Sequence, residues 1–333
     1  MNLIVTESEK TVSVIIPDQI EPSRIDKALS NLLSGKITRS SLSRLIKCGL
    51  VTLDGQPIKA STIVSSGQKV SIRLKDRKQE FSLPLAPVID LPILYEDDHV
   101  IVLNKPAGCV VHPGAGACGL TLVEALVASR PTMVGIGESG RWGIVHRLDK
   151  DTSGVMVVTK TEIAYQELSE QFRQHSIIRF YMAIVRGNPG CDSGVINKEI
   201  GRSRSDRKRM STVTRKGRSA ITNWIVKERY GSVSLMEIRP QTGRTHQIRV
   251  HLASVGMPII GDRVYGTKAS KRFSSDQFVT KLCEILKRQA LHAAVLAFKH
   301  PVSGHLMEFS SDFPDDMLEA IKICRAIINA KDN

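Results

Sequence analysis

The alternation of apolar and polar positions predicts a small region of helices and strands near the start of the chain. Apolar residues recur at helical spacing from 25 to 33, so we predict a helix that Ser23 caps and Gly35 ends. A second short helix follows through Leu42, Leu45 and Ile46, and Gly49 ends it. Strict alternation then predicts strands at 51–53 and 70–74. The pattern therefore predicts two helices followed by a small hairpin.

A cluster of charged residues directly precedes an apolar run near the middle of the chain. This run, residues 155–158, is short and its residues are mostly β-branched, which is typical of a strand that is covered on both faces. Turn-forming residues at 152–154 come before it, so the charged residues at 146–151 should lie on a loop that enters the strand. Such loops commonly carry catalytic groups, although a solvated surface loop with ordinary ion pairs is the alternative.

The second half of the chain also mixes strand and helix patterns. We predict strands at 100–103, 177–185 and 234–240. Period-two alternation places Arg179 and Tyr181 on the same face of the 177–185 strand. Capping and breaking signals predict helices after Thr121, after Thr161, from the turn at 241–244 to Gly256, around 282–286 and after Asp312.

The charge of the chain favours a polyanionic partner. Its 333 residues include 47 Lys and Arg against 33 Asp and Glu, a net charge of +14 at pH 7. This length fits about two domains, and this charge suits nucleic acid or an acidic membrane surface. No apolar stretch reaches the roughly 18 residues that span a bilayer. We therefore expect a cytoplasmic protein.

Cysteine and histidine spacing argues against a metal site. The six cysteines include no Cys-x-x-Cys pair, so neither a zinc ribbon nor a redox motif is expected. His246 and His251 are five positions apart on a predicted helix and should lie on divergent faces, which argues against zinc at this pair. We expect no metal, no disulfide and no cofactor.

A string in the charged loop, HRLD at 146–149 followed by TSG at 152–154, resembles the signature of RluA-type pseudouridine synthases. Other blocks of that family are similar to segments at 104–108, 111–114, 179–183, 239–262 and 288–293. The resemblance implies an enzyme that isomerises selected uridines in RNA to pseudouridine. It also implies an α+β fold whose catalytic domain is built on a mainly antiparallel mixed β-sheet flanked by helices.

The N-terminal region resembles an S4 RNA-binding domain. After it, prolines between 75 and 92 indicate an extended linker. We expect a small S4-like αβ domain with its linker at 1–87, its core at about 23–75, and the pseudouridine synthase catalytic domain at 88–333. Such a domain would bring RNA to the enzyme.

The resemblance also implies roles for individual residues. Asp149 would be the catalytic nucleophile, Tyr181 would pack on the target base, and Arg249 would pair with Asp149 and favour its carboxylate form. Leu291 would pack beside the active-site pocket. Without its neighbours, Tyr181 would read as an ordinary half-buried tyrosine. A typical family member has lysine at the position of Arg179.

Basic residues add expected contacts with RNA. Arg and Lys are dense between 202 and 218, where only Asp206 opposes them, so this segment could track a phosphate backbone. The expected RNA contacts are Arg39, Arg44, Lys47, His146, Arg147, Arg207, Lys208 and Arg244. A solvated basic face is the alternative for the N-terminal residues and for the 202–218 segment, and a structural role is the alternative for His146.

Two other kinds of protein remain possible from these residues. Asp149 and Asp151 could form the carboxylate pair of a glycoside hydrolase, although the chain is only 5% aromatic and so offers little surface for sugar stacking. A non-catalytic RNA-binding protein is the second alternative. For the favoured enzyme we expect large-subunit ribosomal RNA as the partner, with transfer RNA as the other option, no membrane contact, and a monomer. Whether attack falls on the ribose or the base is left open.

Overall fold

The computed structural model describes residues 6–8, 11–18, 21–32, 46, 49–59, 61–73, 91–112, 120–204, 206, 209–266 and 276–329. The chain divides into two compact units, Met1–Ser82 and Leu83–Asn333. The boundary predicted after residue 87 lies outside the described residues, so the extent of the two domains stays a prediction.

The first unit contains a five-stranded antiparallel sheet. The described strands of this unit number seven, five in the sheet and two in a separate ribbon: β1 (Thr6–Ser8), β2 (Thr11–Ile15), β3 (Ser23–Arg24), β4 (Val51–Leu53), β5 (Gln56–Pro57), β6 (Ile63–Val64) and β7 (Lys69–Arg73). The sheet order is β1-β2-β7-β4-β5, and β3 pairs with β6. The strands predicted at 51–53 and 70–74 are confirmed as β4 and β7, whereas β1 and β2 were not predicted. The second predicted helix lies outside the described residues, apart from Ile46 and its predicted end at Gly49, and so does Gly35, the predicted end of the first helix.

Helix α1 (Ile25–Leu32) covers the core of this unit. Ile25 and Leu29 are fully buried in one apolar cluster with residues of β4 and β7. The prediction that Ser23 caps this helix is wrong, because Ser23 pairs with Val64 in the β3–β6 ribbon and the helix begins at Ile25. Local spacing found the helix, but the pairing that sets its first residue comes from a distant segment.

The second unit is built on a nine-stranded sheet and one short ribbon. Its strands are β8 (Ile93–Glu96), β9 (Val100–Lys105), β10 (Ser153–Thr159), β11 (Ile178–Arg186), β12 (Ser193–Asn197), β13 (Gly201–Arg202), β14 (Met210–Ser211), β15 (Ile221–Arg229), β16 (Val233–Pro240), β17 (Leu291–Lys299) and β18 (Leu306–Ser310). The order is β12-β15-β16-β11-β17-β10-β9-β8, with β18 also on β17, while β13 and β14 pair separately. Only the β10–β17 pair is parallel in this described sheet. The predicted mainly antiparallel mixed sheet is therefore confirmed.

Strand β10 lies between two apolar layers. Met156 and Val158 belong to the main core cluster, whereas Val155 and Val157 belong to a second cluster on the other face. Every residue of the strand is buried. The prediction of a strand covered on both faces is confirmed, since alternate side chains point to opposite faces and both are packed.

Helices flank this sheet. They are α2 (Leu122–Ser129), α3 (Glu162–Arg173), α4 (Gln247–Ser254), α5 (Gln277–Ile285) and α6 (Asp315–Asn329). The capping predictions are confirmed at α2, where Thr121 and Glu124 form a capping box, and at α3, where the Thr161 hydroxyl accepts from the Ala164 N–H. Of the helices in the described parts of the chain, none has the length and apolar character needed to span a bilayer.

The topology gathers distant segments around the central strands of the sheet. The charged loop at 146–152 leads into β10, which pairs with the start of β17. Strand β17 pairs with β11 on its other side. Strand β11 also pairs with β16, and α4 follows β16 in the chain. Residues that are far apart in the chain therefore meet beside the loop.

Candidate active site

A cavity of about 620 Å³ is formed where the charged loop, β11 and the segment leading into α4 meet. This volume lies within the range of pockets that enclose small molecules. Seven of the residues singled out from the sequence line it: His146, Arg147, Asp149, Tyr181, Arg244, Arg249 and Leu291. The remaining five, Arg39, Arg44, Lys47, Arg207 and Lys208, lie outside the described residues.

Two cationic side chains, the buried Lys105 and the partly buried Arg288, hold the loop that carries Asp149. The Lys105 ammonium donates to the carbonyl oxygen of Lys150 at 3.0 Å, and the Arg288 guanidinium donates to that of Asp151 at 3.0 Å. Burial of Lys105 lowers its pKa to about 8. These contacts fix the backbone after Asp149, whose side chain remains 17% exposed toward the cavity.

Arg249 joins Asp149 to a second and deeper carboxylate. Its Nη1 donates to Oδ2 of Asp149 at 2.9 Å, while its Nε and Nη2 donate to the two oxygens of Asp262 at 2.7 and 3.0 Å. The Asp262 side chain is only 1% exposed. This two-point pairing fixes the plane of the guanidinium, which in turn fixes one oxygen of Asp149.

The buried pair is stable in its charged form. Burial acts to lower the pKa of Arg249, but the hydrogen bonds to Asp262 and the charge of Asp149 outweigh it, so the pKa of Arg249 is raised. Burial acts to raise the pKa of Asp262, but Arg249 and two backbone N–H groups outweigh it, so the pKa of Asp262 is lowered. Charged partners that satisfy each other at this depth form a rigid support.

Tyr181 and Leu291 form an apolar wall of the cavity. They are 8% and 3% exposed, on β11 and at the start of β17 respectively. Burial raises the pKa of the Tyr181 phenol, so the ring carries its proton at neutral pH. Arg179 also lines the cavity, as the alternation along this strand predicts.

His146 is held as part of the wall, whereas Arg147 is exposed. The Nε2 of His146 accepts the Val157 N–H at 3.1 Å, and its ring stacks on Phe172 with centroids 4.6 Å apart. Burial and the charge of Arg179 lower the pKa of His146 to about 3, so the ring is neutral. The exposed Arg147 lies 3.4 Å from His112 and can extend toward a ligand.

The cavity has a strongly cationic lining. Besides Arg249 it includes Arg141, Arg147, Arg173, Arg179, Arg218 and Arg244. Burial and the neighbouring Arg218 lower the pKa of Arg244, so an anion placed between them would relieve repulsion. The Nε of Arg179 is buried and has no hydrogen-bond partner among the described residues. This lining suits the phosphates of a nucleic acid.

Comparison with known proteins identifies the family. The model of the RNA pseudouridylate synthase family matches residues 99–254. "Uncharacterized RNA pseudouridine synthase YlyB" of Bacillus subtilis is 38% identical over 94% of this chain and 98% of its own length. The chain belongs to the RluA family of RNA pseudouridine synthases. This RluA-family protein is therefore an enzyme that acts on RNA to make pseudouridine.

Further relatives of this RluA-family protein carry more specific names. "Ribosomal large subunit pseudouridine synthase D" of Xanthomonas campestris is 40% identical over 93% of the chain and 92% of its own length. Among solved structures, "Human RNA Pseudouridylate Synthase Domain Containing 4" aligns with a TM-score of 0.54 and 27% identity, over 70% of this chain and 93% of its own. This structural neighbour is named as a pseudouridylate synthase, and the mixed sheet flanked by helices in this chain is consistent with the same fold.

Three residues that shape the site received no role from the sequence: Lys105, Asp262 and Tyr265. Lys105 and Asp262 fall inside segments that resemble family blocks, which was the available signal. Their roles depend on partners far away in the chain, such as Lys150 for Lys105, and spacing cannot show such partners.

The two histidines at 246 and 251 have different partners, and only His251 lies within α4. His246 contacts the Tyr265 hydroxyl at 2.8 Å, whereas His251 is fully buried between Thr222 and the carbonyl oxygen of Lys198. Within the described residues, no group of three His, Cys, Asp or Glu side chains could hold a metal ion.

Proposed function

We propose that this enzyme converts particular uridines of bacterial large-subunit ribosomal RNA to pseudouridine, with Asp149 as the nucleophile. Two observations support the substrate. Relatives named for the large ribosomal subunit match over more than nine-tenths of the chain at about 40% identity, and the cavity is lined by arginines that suit a phosphate backbone.

The position of Asp149 carries the proposal. Two carboxylates line the cavity in the described structure. The Glu138 side chain is 67% exposed and pairs with Arg141 at the surface, whereas Asp149 is mostly buried and bound to Arg249. A nucleophile needs positioning and partial exclusion of water, and of these two carboxylates Asp149 is the one that Arg249 positions through one oxygen and that is mostly buried.

The reaction requires little beyond such a carboxylate. The bond from ribose C1′ to N1 of uracil breaks, a bond from C1′ to C5 forms, and the proton on C5 leaves while one returns to N1. No atom or electron is gained overall, so the chemistry calls for no cofactor. Asp149 attacks the nucleoside and is released when the new bond forms.

The other residues hold the target nucleotide. A uridine in structured RNA must leave its stack to reach Asp149, at a cost of roughly a few kcal/mol. The Tyr181 ring and Leu291 offer the base an apolar surface, and Arg147 and Arg244 contact the neighbouring phosphates. His146 shapes the wall against which the nucleotide lies.

The N-terminal unit would bind RNA outside the cavity. Its described part combines α1 with a small antiparallel sheet, which is compatible with an S4-like domain. We assign phosphate contacts to Arg39, Arg44 and Lys47 in this unit, and to Arg207 and Lys208, which come between β13 and β14 in the sequence. The enzyme acts as a monomer in this proposal.

Complementation of cells that lack the gene tests both parts of the proposal. Pseudouridines are mapped in ribosomal and transfer RNA after expression of wild type, Asp149→Asn or Asp151→Asn. Asp151 lies on the same loop but does not line the cavity, so it is the matched control. We expect Asp149→Asn to lose at least about 10⁴-fold in rate and to restore no site, while Asp151→Asn restores large-subunit sites.

The outcomes separate the nucleophile from the substrate. Restored pseudouridines in cells that express Asp149→Asn would disprove the assignment of Asp149 as the nucleophile. Sites that change only in transfer RNA would disprove the ribosomal substrate and leave the nucleophile standing. Purified Asp149→Asn should bind the RNA with wild-type affinity, which shows that the variant is folded.

A further inference from the structure

His246 has an unusual position directly before α4. It is the N-cap residue, with φ 56° and ψ 21° in the left-handed region, where a residue other than glycine is uncommon. Its side chain makes no capping hydrogen bond. Instead its Nδ1 lies 2.8 Å from the Tyr265 hydroxyl, and its Nε2 lies 3.8 Å from Oδ1 of Asp149. The backbone strain therefore accompanies a ring that faces the proposed nucleophile.

The neighbours of Tyr265 determine which nitrogen of His246 carries the proton. The hydroxyl oxygen of Tyr265 accepts the Met210 N–H at 3.1 Å, so its own hydrogen is free to donate. Within the described residues, the acceptor in reach of that hydrogen is Nδ1 of His246. Tyr265 is 8% exposed, so a hydroxyl without an acceptor would be costly. Nδ1 thus accepts, and Nε2 of the neutral ring carries the hydrogen.

We infer that His246 is a positioning residue, whose Nε2–H binds Oδ1 of Asp149 in the substrate complex and fixes the carboxylate oxygen that Arg249 leaves free. This inference rests on Asp149 as the nucleophile. Arg249 binds only Oδ2, so the carboxylate can still turn about that contact. At 3.8 Å the His246 contact is too long for a hydrogen bond, and such contacts commonly tighten when substrate binds.

The charges around His246 are compatible with a neutral ring. Burial lowers the pKa of His246, and this effect outweighs the attraction of Asp149. Arg249 and Arg147 also act to lower its pKa, whereas Asp262 acts to raise it. The ring is thus a neutral donor at physiological pH, and it holds Asp149 without adding a full positive charge beside it.

Tyr265 connects the His246 ring to the β13–β14 ribbon. Two guanidinium groups lie over the Tyr265 ring, with Arg209 5.3 Å and Arg249 5.0 Å from its centroid. The Met210 N–H that binds its hydroxyl belongs to β14. The ribbon therefore helps to set the tautomer of His246.

Two substitutions of His246 distinguish its role as a hydrogen-bond donor to Asp149 from its role in folding. In His246→Asn the amide reaches the position of Nδ1, so it keeps a partner for Tyr265, and asparagine tolerates the left-handed backbone. In His246→Gln the amide reaches the position of Nε2 and restores a donor toward Asp149. We expect His246→Asn to slow single-turnover pseudouridine formation roughly 10- to 100-fold with an unchanged Kd for RNA, and His246→Gln to recover most of the rate.

Equal losses in the two variants, or an unchanged rate in His246→Asn, would overturn the inference. Tyr265→Phe adds a second comparison, because Tyr265 acts through His246. The double variant with His246→Asn should then be no slower than His246→Asn alone, and additive losses would contradict this route.

Nitrogen-15 NMR of histidine-labelled protein reads the tautomer without any assay of activity. The His246 signal is assigned from its absence in His246→Asn. We expect a protonated Nε2 and an unprotonated Nδ1, and the reverse tautomer would disprove the inference. If Asp149→Asn proved fully active, the proposed nucleophile would fail, while the tautomer and the rates of the His246 variants would still be measured independently.

Discussion

At the scale of single residues, the site depends on a carboxylate that is held indirectly. Asp149 binds Arg249, and Arg249 is fixed by Asp262, which is almost completely buried. Asp262 lies on the far side of the guanidinium from the cavity and does not line it. Its effect on catalysis would therefore come through Arg249.

Replacement of Asp262 by Asn tests this support. The amide keeps the size of the side chain but leaves the Arg249 charge with Asp149 alone, so we expect a loss of roughly 3 kcal/mol in the free energy of unfolding and a tenfold or greater fall in rate. Asp192→Asn is the control, because Asp192 is 87% exposed in its pair with Arg229 and should contribute below about 1 kcal/mol. Equal stability of the two variants would contradict the role of Asp262.

The same pair gives a direction for pH dependence. The pKa of Asp262 is lowered in the folded chain, because Arg249 outweighs the effect of burial. A carboxylate of this kind contributes stability above its unfolded pKa of about 4, and that contribution is lost as the pH falls toward the folded value. The difference in thermal midpoint between wild type and Asp262→Asn should therefore shrink below about pH 4.

At the scale of elements, the parallel contact between β10 and β17 sets the position of the charged loop. Gly154 pairs with Ala293 and has φ +117°, and a Cβ there would lie 2.2 Å from the Ala293 carbonyl oxygen. This glycine is the last residue of the TSG string. The close approach of two backbones explains why the second residue of β10 is a glycine of this conformation.

Gly154→Ala should therefore separate these strands. The clash is with backbone and the conformation is strained for alanine, so we expect a destabilisation of roughly 3 kcal/mol and a fall in Tm of about 10 °C. Gly190→Ala is a matched control, since no atom lies within 4 Å of the added carbon and its φ is not in the left-handed region. Thermal unfolding of both variants measures the fall in Tm. A Tm for Gly154→Ala equal to that of Gly190→Ala would contradict the expected clash.

At the scale of the whole molecule, the net charge of +14 matches an enzyme that acts on RNA. The arginines of the cavity lining account for only part of the excess. If the N-terminal unit binds phosphates, its basic residues should contribute to affinity through release of counterions, and that contribution depends on salt.

The salt dependence of RNA binding tests the N-terminal contacts. Changing Arg39, Arg44 and Lys47 to Gln should reduce the slope of log Kd against log salt concentration by roughly 2 to 3, because each phosphate contact contributes about 0.7 to 0.9. Changing Lys281, Lys287 and Lys322 to Gln removes the same charge from exposed positions outside the cavity. An equal change of slope in the two variants would argue against specific contacts in the N-terminal unit.

The sequence by itself determined the class of fold, the buried strand at 155–158, the capped helices and the family, because these depend on local spacing and on contiguous strings. It also pointed to Asp149, Tyr181 and Arg249, which the structure brings to one cavity. It placed the start of α1 wrongly, because the β3–β6 pairing that displaces Ser23 joins segments far apart in the chain.

Only the tertiary structure decided how Asp149 is held. Asp262 behind Arg249, Lys105 beneath the loop, and Tyr265 beside His246 act through contacts between residues 13 to 45 positions apart in the chain. Such contacts leave no periodic pattern, because strand order and helix placement create them. The sequence thus determines the chemical group of each side chain, whereas the fold determines the partner, the burial and the protonation state of that group.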